Sequence, residues 1–336
     1  MNMNILLISN YKPNMGGIHG QVEMLHYHLN REDGVIADIF STRGNPISRV
    51  WKLLRLMVVA SRYDILHIHA CSYRGMLPAV FGIIAGKINR KKIIITYHGG
   101  EAAEYFAKRE RFVRKWLGKA DQVIVLSGFL EEIFNRYAIP CVVIPNIIHL
   151  HPIAPREKYH EVAPRFISIR HLRPLYNIPC ILKAYKVVLE QYPNATLDIL
   201  GQGDMRAELE QYVADNHLTG VRFLGQVPND KIYDYFAEAN IILSAPKADN
   251  MPVSLLEAMN AGLLVISSRV GGVPFMIEDG KTGLLFESDN ADDMAAEMLW
   301  ALEHPAEVHT MITHAQADVQ KYSWKNIKKQ LFEVYE

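Results

Sequence analysis

Two carboxylates eight positions apart, Asp249 and Glu257, lie in the segment Ser244-Ala-Pro-Lys-Ala-Asp249-Asn250-Met251-Pro-Val253-Ser254-Leu-Leu-Glu257-Ala-Met-Asn-Ala-Gly262. The pair straddles a turn and a helix start. A loop that opens a helix offers unbonded N–H groups and a positive dipole end, which suits a diphosphate, so Asn250, Met251, Val253 and Ser254 are candidate phosphate contacts. Glu257, about one turn inside the helix, would accept hydrogen bonds from a ribose diol. Asp249, on the loop, would face a sugar or the cleft. Taken singly, Asp249 could serve only as a helix-start residue and Glu257 only as a surface charge.

Other positions fit the same chemistry. Gly16-Gly17, after the first apolar run, permits positive φ and a close approach of backbone amides to a phosphate, although a plain tight turn would also explain it. His98, in Tyr97-His98-Gly99-Gly100, follows an apolar strand and precedes two glycines, so its side chain would be exposed at the strand's end, within reach of a ligand hydroxyl. His67 and His69 alternate within one strand, which reads more simply as packing. No histidine and carboxylate grouping has metal spacing and no Asp-x-Asp occurs, so metal-dependent chemistry is disfavoured and no resident cofactor is expected.

The chain has 336 residues, equal numbers of basic and acidic side chains, 36 of each, and 49% apolar content. These values predict two folded domains and exclude a disordered or uniformly basic nucleic-acid-binding chain. Three separated cysteines, Cys71, Cys141 and Cys180, support neither a disulfide scaffold nor a cysteine zinc site, and point to a reducing, cytoplasmic setting. No apolar stretch reaches the ~18 residues of a membrane span, so neither a cleaved signal nor an integral protein is expected. Residues 1–150 nevertheless carry 19 basic against 11 acidic residues, and the remainder the reverse surplus, 17 against 25. The first half therefore suits an anionic partner. Its expected contact is the segment 108–119. At ~100° per residue Lys108, Arg111, Lys115 and Lys119 form one stripe and Val113, Trp116, Leu117 and Ala120 another, a pattern that fits equally peripheral docking on acidic lipid and a cytoplasmic helix packing Trp116 inward.

The elements that must position these residues alternate. Strands are expected at Met3–Ser9, Val35–Phe40, Ile65–His69, Lys92–Tyr97, Gln122–Leu126 and Val142–Ile144, and again at Phe166–Arg170, Ala195–Leu200, Val221–Leu224, Ile241–Ser244, Leu264–Ser267 and Gly283–Phe286. Helical stretches, among them Gly20–Leu29, Ile47–Ser61 and Ala102–Leu117, lie between. This α/β alternation predicts two doubly wound parallel sheets, with Ile148 to Pro164 as a linker and ligands at the carboxyl ends of the strands, facing a cleft.

The segment 244–262, with Val270-Gly-Gly-Val-Pro274, resembles the GT-B-fold retaining glycosyltransferases of family 4, whose signature is Glu-x7-Glu, then Glu-Ala-Met-Ala-x-Gly and a Gly-Gly-(Val/Ile)-Pro turn. Gly16-Gly17, Asp64-Ile-Leu-His-Ile-His69, Tyr97-His98-Gly99-Gly100, Leu200-Gly201-Gln-Gly203-Asp204 and Tyr322-Ser323-Trp324 resemble further family landmarks in the family's order. The resemblance implies two Rossmann-like domains facing across a cleft. An acceptor domain would span 1–155 with a returning helix at 322–336, and a donor domain 160–321. It implies transfer from a nucleotide-diphosphate sugar, a co-substrate and not a cofactor, to a saccharide or lipid-linked acceptor, without metal and with retention. His98 and Asp249 would orient the sugar, and Gly203 would lie beneath the nucleotide.

The departures concern phosphate. The family's Arg and Lys, five residues apart, align with His171 and Tyr176 in Arg170-His-Leu-Arg173-Pro-Leu-Tyr-Asn177, leaving Arg170 and Arg173 either as replacement guanidinium forks or as one surface arginine and one structural ion pair. Asp249 stands for the first Glu, and Phe275 for a frequent Glu. A noncatalytic descendant would account for the lost pair. A GT-B epimerase or phosphorylase would need further carboxylates or a cofactor lysine.

Overall fold

In the computed structural model the run Ile5-Leu6-Leu7-Ile8 is buried on both faces, with no side chain more than 1% exposed, as an interior strand of a parallel sheet must be. It belongs to β1 (Met3–Ser9). The run continues through α1 (Ile18–Leu29), β2 (Val35–Ser41), α2 (Pro46–Val59), β3 (Ile65–Ala70), α3 (Leu77–Asn89), β4 (Lys92–Tyr97), α4 (Ala102–Leu117), β5 (Gln122–Val125), α5 (Gly128–Arg136) and β6 (Val142–Val143). Residues 3–13, 16–151 and 163–336 are described. Most of the expected linker, and the expected boundary at 155–160, lies outside them.

A second series runs β7 (Arg165–Ile169), α6 (Ile178–Gln191), β8 (Thr196–Leu200), α7 (Arg206–Asp215), β9 (Val221–Gly225), α8 (Ile232–Glu238), β10 (Ile241–Ser244), α9 (Val253–Asn260), β11 (Leu264–Ser268) and β12 (Leu284–Phe286). Three helices close the chain: α10 (Ala291–Glu303), α11 (Pro305–Asp318) and α12 (Trp324–Tyr335). Each strand expected from the sequence is present, its ends shifted by at most one residue.

The strands form two six-stranded sheets, ordered β2-β1-β3-β4-β5-β6 and β12-β11-β10-β7-β8-β9. Every strand pair is parallel. Both sheets are doubly wound, so each has one place where the strand order reverses, between β1 and β3 in the first and between β7 and β10 in the second. Helices cover both faces. In the first sheet Leu66, Ile68 and Ile93 pack with Ile83 and Ala79 of α3; in the second Ile199 and Ile241 pack with Ile181, Tyr185 and Val188 of α6.

The chain divides into Met1–Ile148 with Tyr322–Glu336, and His149–Lys321. The first unit recovers the chain's end because Ile148 donates its N–H to the Tyr322 carbonyl (3.0 Å) and α12 is bound at both ends. Trp324 Nε1 donates to Glu32 (2.7 Å) and its ring stacks on His28, while the Tyr335 hydroxyl is hydrogen-bonded to His67 Nδ1 (2.8 Å). His149 and His151 belong to the second unit, where the His151 ring packs 4.1 Å from that of Tyr233 and its carbonyl accepts from Asn260. Among the described residues no helix is long and apolar enough to cross a membrane.

Candidate functional site

In the second unit the loops that leave β7 and β10 flank the reversal of strand order, the place where open parallel sheets bind ligands. Arg170, immediately after β7, reaches across to the β10 loop. Its Nη2 lies 3.1 Å from Asp249 Oδ2, with side chains only 12% and 20% exposed, and it donates to Ser244 Oγ through Nε and Nη2 at 3.4 and 3.2 Å. The guanidinium also lies 5.6 Å from the centroid of the Tyr176 ring. Asp249 is braced in turn: its Oδ1 accepts from the Asn250 N–H (2.8 Å), and its carbonyl accepts from the Gly272 N–H (3.2 Å).

This geometry has the form of the alternative to two phosphate forks, with one arginine in an ion pair and one on the surface. Arg170 is engaged with Asp249, because neither charge could be this buried unpaired, and its Nη1 makes no hydrogen bond among the described residues. Arg173 is exposed and makes no ion pair among them. The sequence reading passed over Lys247. Its N–H donates to the Leu175 carbonyl (2.8 Å), which ties the β10 loop to the 170–177 loop, and its Nζ meets Asp289 Oδ2 at 2.9 Å. Its place inside the signature segment was the available signal.

The remaining donor candidates of this segment follow Asp249 along the chain into α9. Pro252 precedes α9 and no side chain caps the helix, so the first-turn amides of Val253 and Ser254 stay available to an anion. The Ser254 hydroxyl is buried with no partner among the described residues, and Asn250 and Met251 are buried beside it. Glu257 follows one turn later, and burial pushes its carboxyl up to about 7.

Gly203 has a packing role not foreseen: a Cβ there would stand 2.2 Å from the Leu172 carbonyl oxygen, and one on Gly201 (φ +142°) 1.9 Å from that of Arg170. The Gly-x-Gly loop thus presses directly on the backbone that carries Arg170. Phe275 is 49% exposed.

In the first unit Gly17 takes φ +64° at the start of α1, with open space where a Cβ would be. The conformation, and not crowding, calls for glycine. Gly16 is exposed beside it. At the carboxyl ends of β3 and β4 three imidazoles form a stack. His67 and His69 lie 4.8 Å apart and His69 and His98 5.2 Å, and His69 Nδ1 is 2.9 Å from His98 Nε2. His67 is fully enclosed, held by Tyr335 and by Thr96 Oγ1 (2.7 Å), which is the packing role. Burial pulls His69 down to about 3 and holds His98 well below the usual histidine range, so both are neutral.

The neutral pair has one favoured tautomer. His69 Nε2 is buried without a partner among the described residues, and an orphaned N–H is rarer and costlier than an unused acceptor. The proton therefore sits on His69 Nδ1 and is donated to His98 Nε2, which puts the His98 proton on Nδ1. In long-range proton–nitrogen NMR spectra His98 should appear as a single Nδ1–H tautomer. His69→Asn, whose amide superposes on Nδ1, should keep that signature, whereas His69→Gln should mix the tautomers. An unchanged His98 pattern in His69→Gln would contradict the assignment.

The four cations of the basic stripe expected on 108–119 are exposed, but α4 departs from helical geometry at Arg109 (φ −136°, ψ 30°), within the stripe. Lys119 lies beyond the helix end, its Nζ 5.1 Å from the Trp116 ring. Lys108 is paired with Glu104 and Arg114 with Glu110. Val113 and Leu117 do face inward. Among the described residues no three His, Cys, Asp or Glu side chains are grouped to hold a metal ion.

Residues 154–318 match the family Glycosyl transferases group 1, and residues 19–151 match Glycosyltransferase Family 4. An uncharacterised glycosyltransferase of Methanocaldococcus jannaschii is 21% identical over 99% of this chain and 98% of its own. The amylovoran biosynthesis glycosyltransferase AmsK of Erwinia amylovora is 32% identical over 54% of this chain, a match that spans 46% of AmsK. The crystal structure of HepE from Anabaena, in complex with UDP and glucose, has the same fold, with a TM-score of 0.81 at 17% identity over 99% of both chains.

Proposed function

Because this chain belongs to the group 1, family 4 glycosyltransferases, we propose that it moves a sugar from a nucleoside-diphosphate donor to a saccharide or lipid-linked acceptor hydroxyl, with retention and without a metal. The observation that carries this reading is the Arg170–Asp249 pair, which joins the β7 and β10 loops beside the uncapped start of α9. Those are the groups a departing diphosphate needs. As the bond from the anomeric carbon to phosphate oxygen breaks, negative charge grows on the diphosphate, and guanidinium N–H groups and helix-start amides oppose it from fixed positions.

In this account Glu257 accepts from the ribose diol, and Asn250 to Ser254 with Arg170 and Arg173 hold phosphate. Gly16-Gly17 closes on the donor, and His98 and Asp249 orient the sugar. The acceptor oxygen bonds to the anomeric carbon on the face the diphosphate leaves, and its proton passes to the departing phosphate oxygen, so no protein nucleophile is required. The nucleotide is taken as UDP by likeness to HepE, whose complex contains UDP, and a role in polysaccharide synthesis is supported by likeness to AmsK. We place the protein on the cytoplasmic side, in peripheral contact with an anionic membrane, a placement supported by the basic surplus of residues 1–150.

A panel of nucleotide sugars, incubated with lipid extract or soluble saccharides as acceptors, tests the reading. One member should release its nucleoside diphosphate at the same rate with and without EDTA. Release from none would leave a binding protein, and loss of release in EDTA would remove the metal-free mechanism.

A further inference from the structure

Helix α2 carries apolar side chains on two opposite faces. On the inner one Leu56 is fully buried, and Met57 packs on the core with Ala60 just beyond the helix end. On the outer one Ile47, Val50, Trp51, Leu54 and Val58 are 73, 59, 69, 54 and 67% exposed. At ~100° per residue these five fall within an arc of about 100°, so they make a continuous ridge and not the scattered apolar residues that any surface has.

Charge around the ridge has one sign. Between Asp38 and Asp64 the chain holds Arg43, Arg49, Lys52, Arg55 and Arg62 and no acidic residue. Arg43, Arg55 and Arg62 are exposed and make no ion pair among the described residues. α4 differs in degree on both counts, since Lys108 and Arg114 are paired with Glu104 and Glu110, Val113 and Leu117 face inward, and its Phe112 is 39% exposed.

We propose that α2 is the membrane anchor of this protein, lying in the plane of an anionic bilayer. Trp51, Leu54 and their neighbours enter the boundary between headgroups and acyl chains, and Arg43, Arg55 and Arg62 meet lipid phosphates. This inference rests on the peripheral-membrane part of the reading above and assigns the contact to α2 in place of α4. A second copy of the chain fits the ridge less well, because a two-fold contact would set the same cations of both copies against one another with no carboxylate between them.

Flotation with vesicles of phosphatidylcholine, with and without phosphatidylglycerol, tests the assignment. The unmodified protein should float with the anionic vesicles, and less so as salt rises. Val50→Gln, Trp51→Gln and Leu54→Gln together replace exposed side chains with a good helix former, so the fold should hold; binding should fall at least tenfold. Arg43→Gln with Arg55→Gln and Arg62→Gln should also fall at least tenfold, because each cation near such a surface is worth about 1 kcal/mol, roughly fivefold. Gln at Lys108, Arg111, Lys115 and Lys119 should change binding less than twofold.

Undiminished flotation of the α2 variants would overturn the assignment while leaving membrane contact in place. No flotation of the unmodified protein would remove both. A dimer seen by light scattering and abolished by the apolar triple variant, with vesicle binding unchanged, would give the ridge to a second copy. Nucleotide-sugar turnover without vesicles should be the same in all forms, and that control separates loss of the anchor from failure of the transferase reading.

Discussion

Arg170→Ala is expected to lower the rate of sugar transfer by about 10²- to 10³-fold, the usual effect of removing one fixed donor from developing negative charge. Arg173→Ala should cost less, because Arg173 is exposed and its charge is screened by water. The stability effect should follow a different rule. Removing Arg170 leaves Asp249, 20% exposed, without its cation, and an unpaired, partly buried carboxylate is destabilising. Arg170→Ala with Asp249→Ala removes both charges, so the double variant should recover part of the lost thermal stability and none of the activity. Steady-state kinetics and thermal unfolding of the four forms measure the two effects independently. Near-normal rates in Arg170→Ala, Arg173→Ala and their double would mean that backbone amides suffice.

Glu257→Ala should weaken UDP binding by about 1.5 to 3 kcal/mol, the range for a hydrogen bond to a charged group, while the protein stays folded. The pH dependence follows from burial, which raises this carboxyl to about 7 in the free protein. A ribose diol donates to the ionised form, so UDP should bind more tightly as pH rises toward 7, level off above it, and release a proton on binding below it. Stability runs the opposite way. The folded protein holds the Glu257 proton to higher pH than the unfolded chain does, so this group's contribution is fully present below the unfolded carboxyl range and lost as pH rises through about 7. Glu257→Gln should therefore gain melting temperature relative to the unmodified protein at pH 8 but not at pH 4. Calorimetric titration with UDP in buffers of different ionisation enthalpy reads the proton directly, and unchanged UDP binding in a folded Glu257→Ala would remove the ribose role.

The strands were legible because parallel strands buried on both faces must be continuous apolar runs. Ile5 to Ile8 and Ile241 to Leu243 could hardly be anything else. The start of α9 was legible from Pro252 followed by Val253-Ser254. The pairing of Arg170 with Asp249 was not, because it depends on β7 and β10 being neighbours across the reversal of strand order, which no local pattern encodes. Nor could the break in α4 be foreseen, since Arg109 is neither proline nor glycine. The same limit hid the outer ridge of α2. Apolar spacing announces a helix over 46–59, but where two arcs are apolar, only the packed structure says which is left outside. Gly203, expected beneath the nucleotide, illustrates a further case, because its packing against the Leu172 carbonyl is visible only in the folded chain.

The most direct measurement of the central claim is a proton NMR time course of the nucleotide-sugar incubation, taken on the donor that the panel selects. The account predicts that UDP appears in step with loss of the sugar's anomeric signal from the donor. It also predicts that the first product, before any mutarotation, carries the donor's own anomeric configuration. An inverted first product would contradict retention, and a spectrum in which no donor of the panel is consumed would contradict the transferase itself.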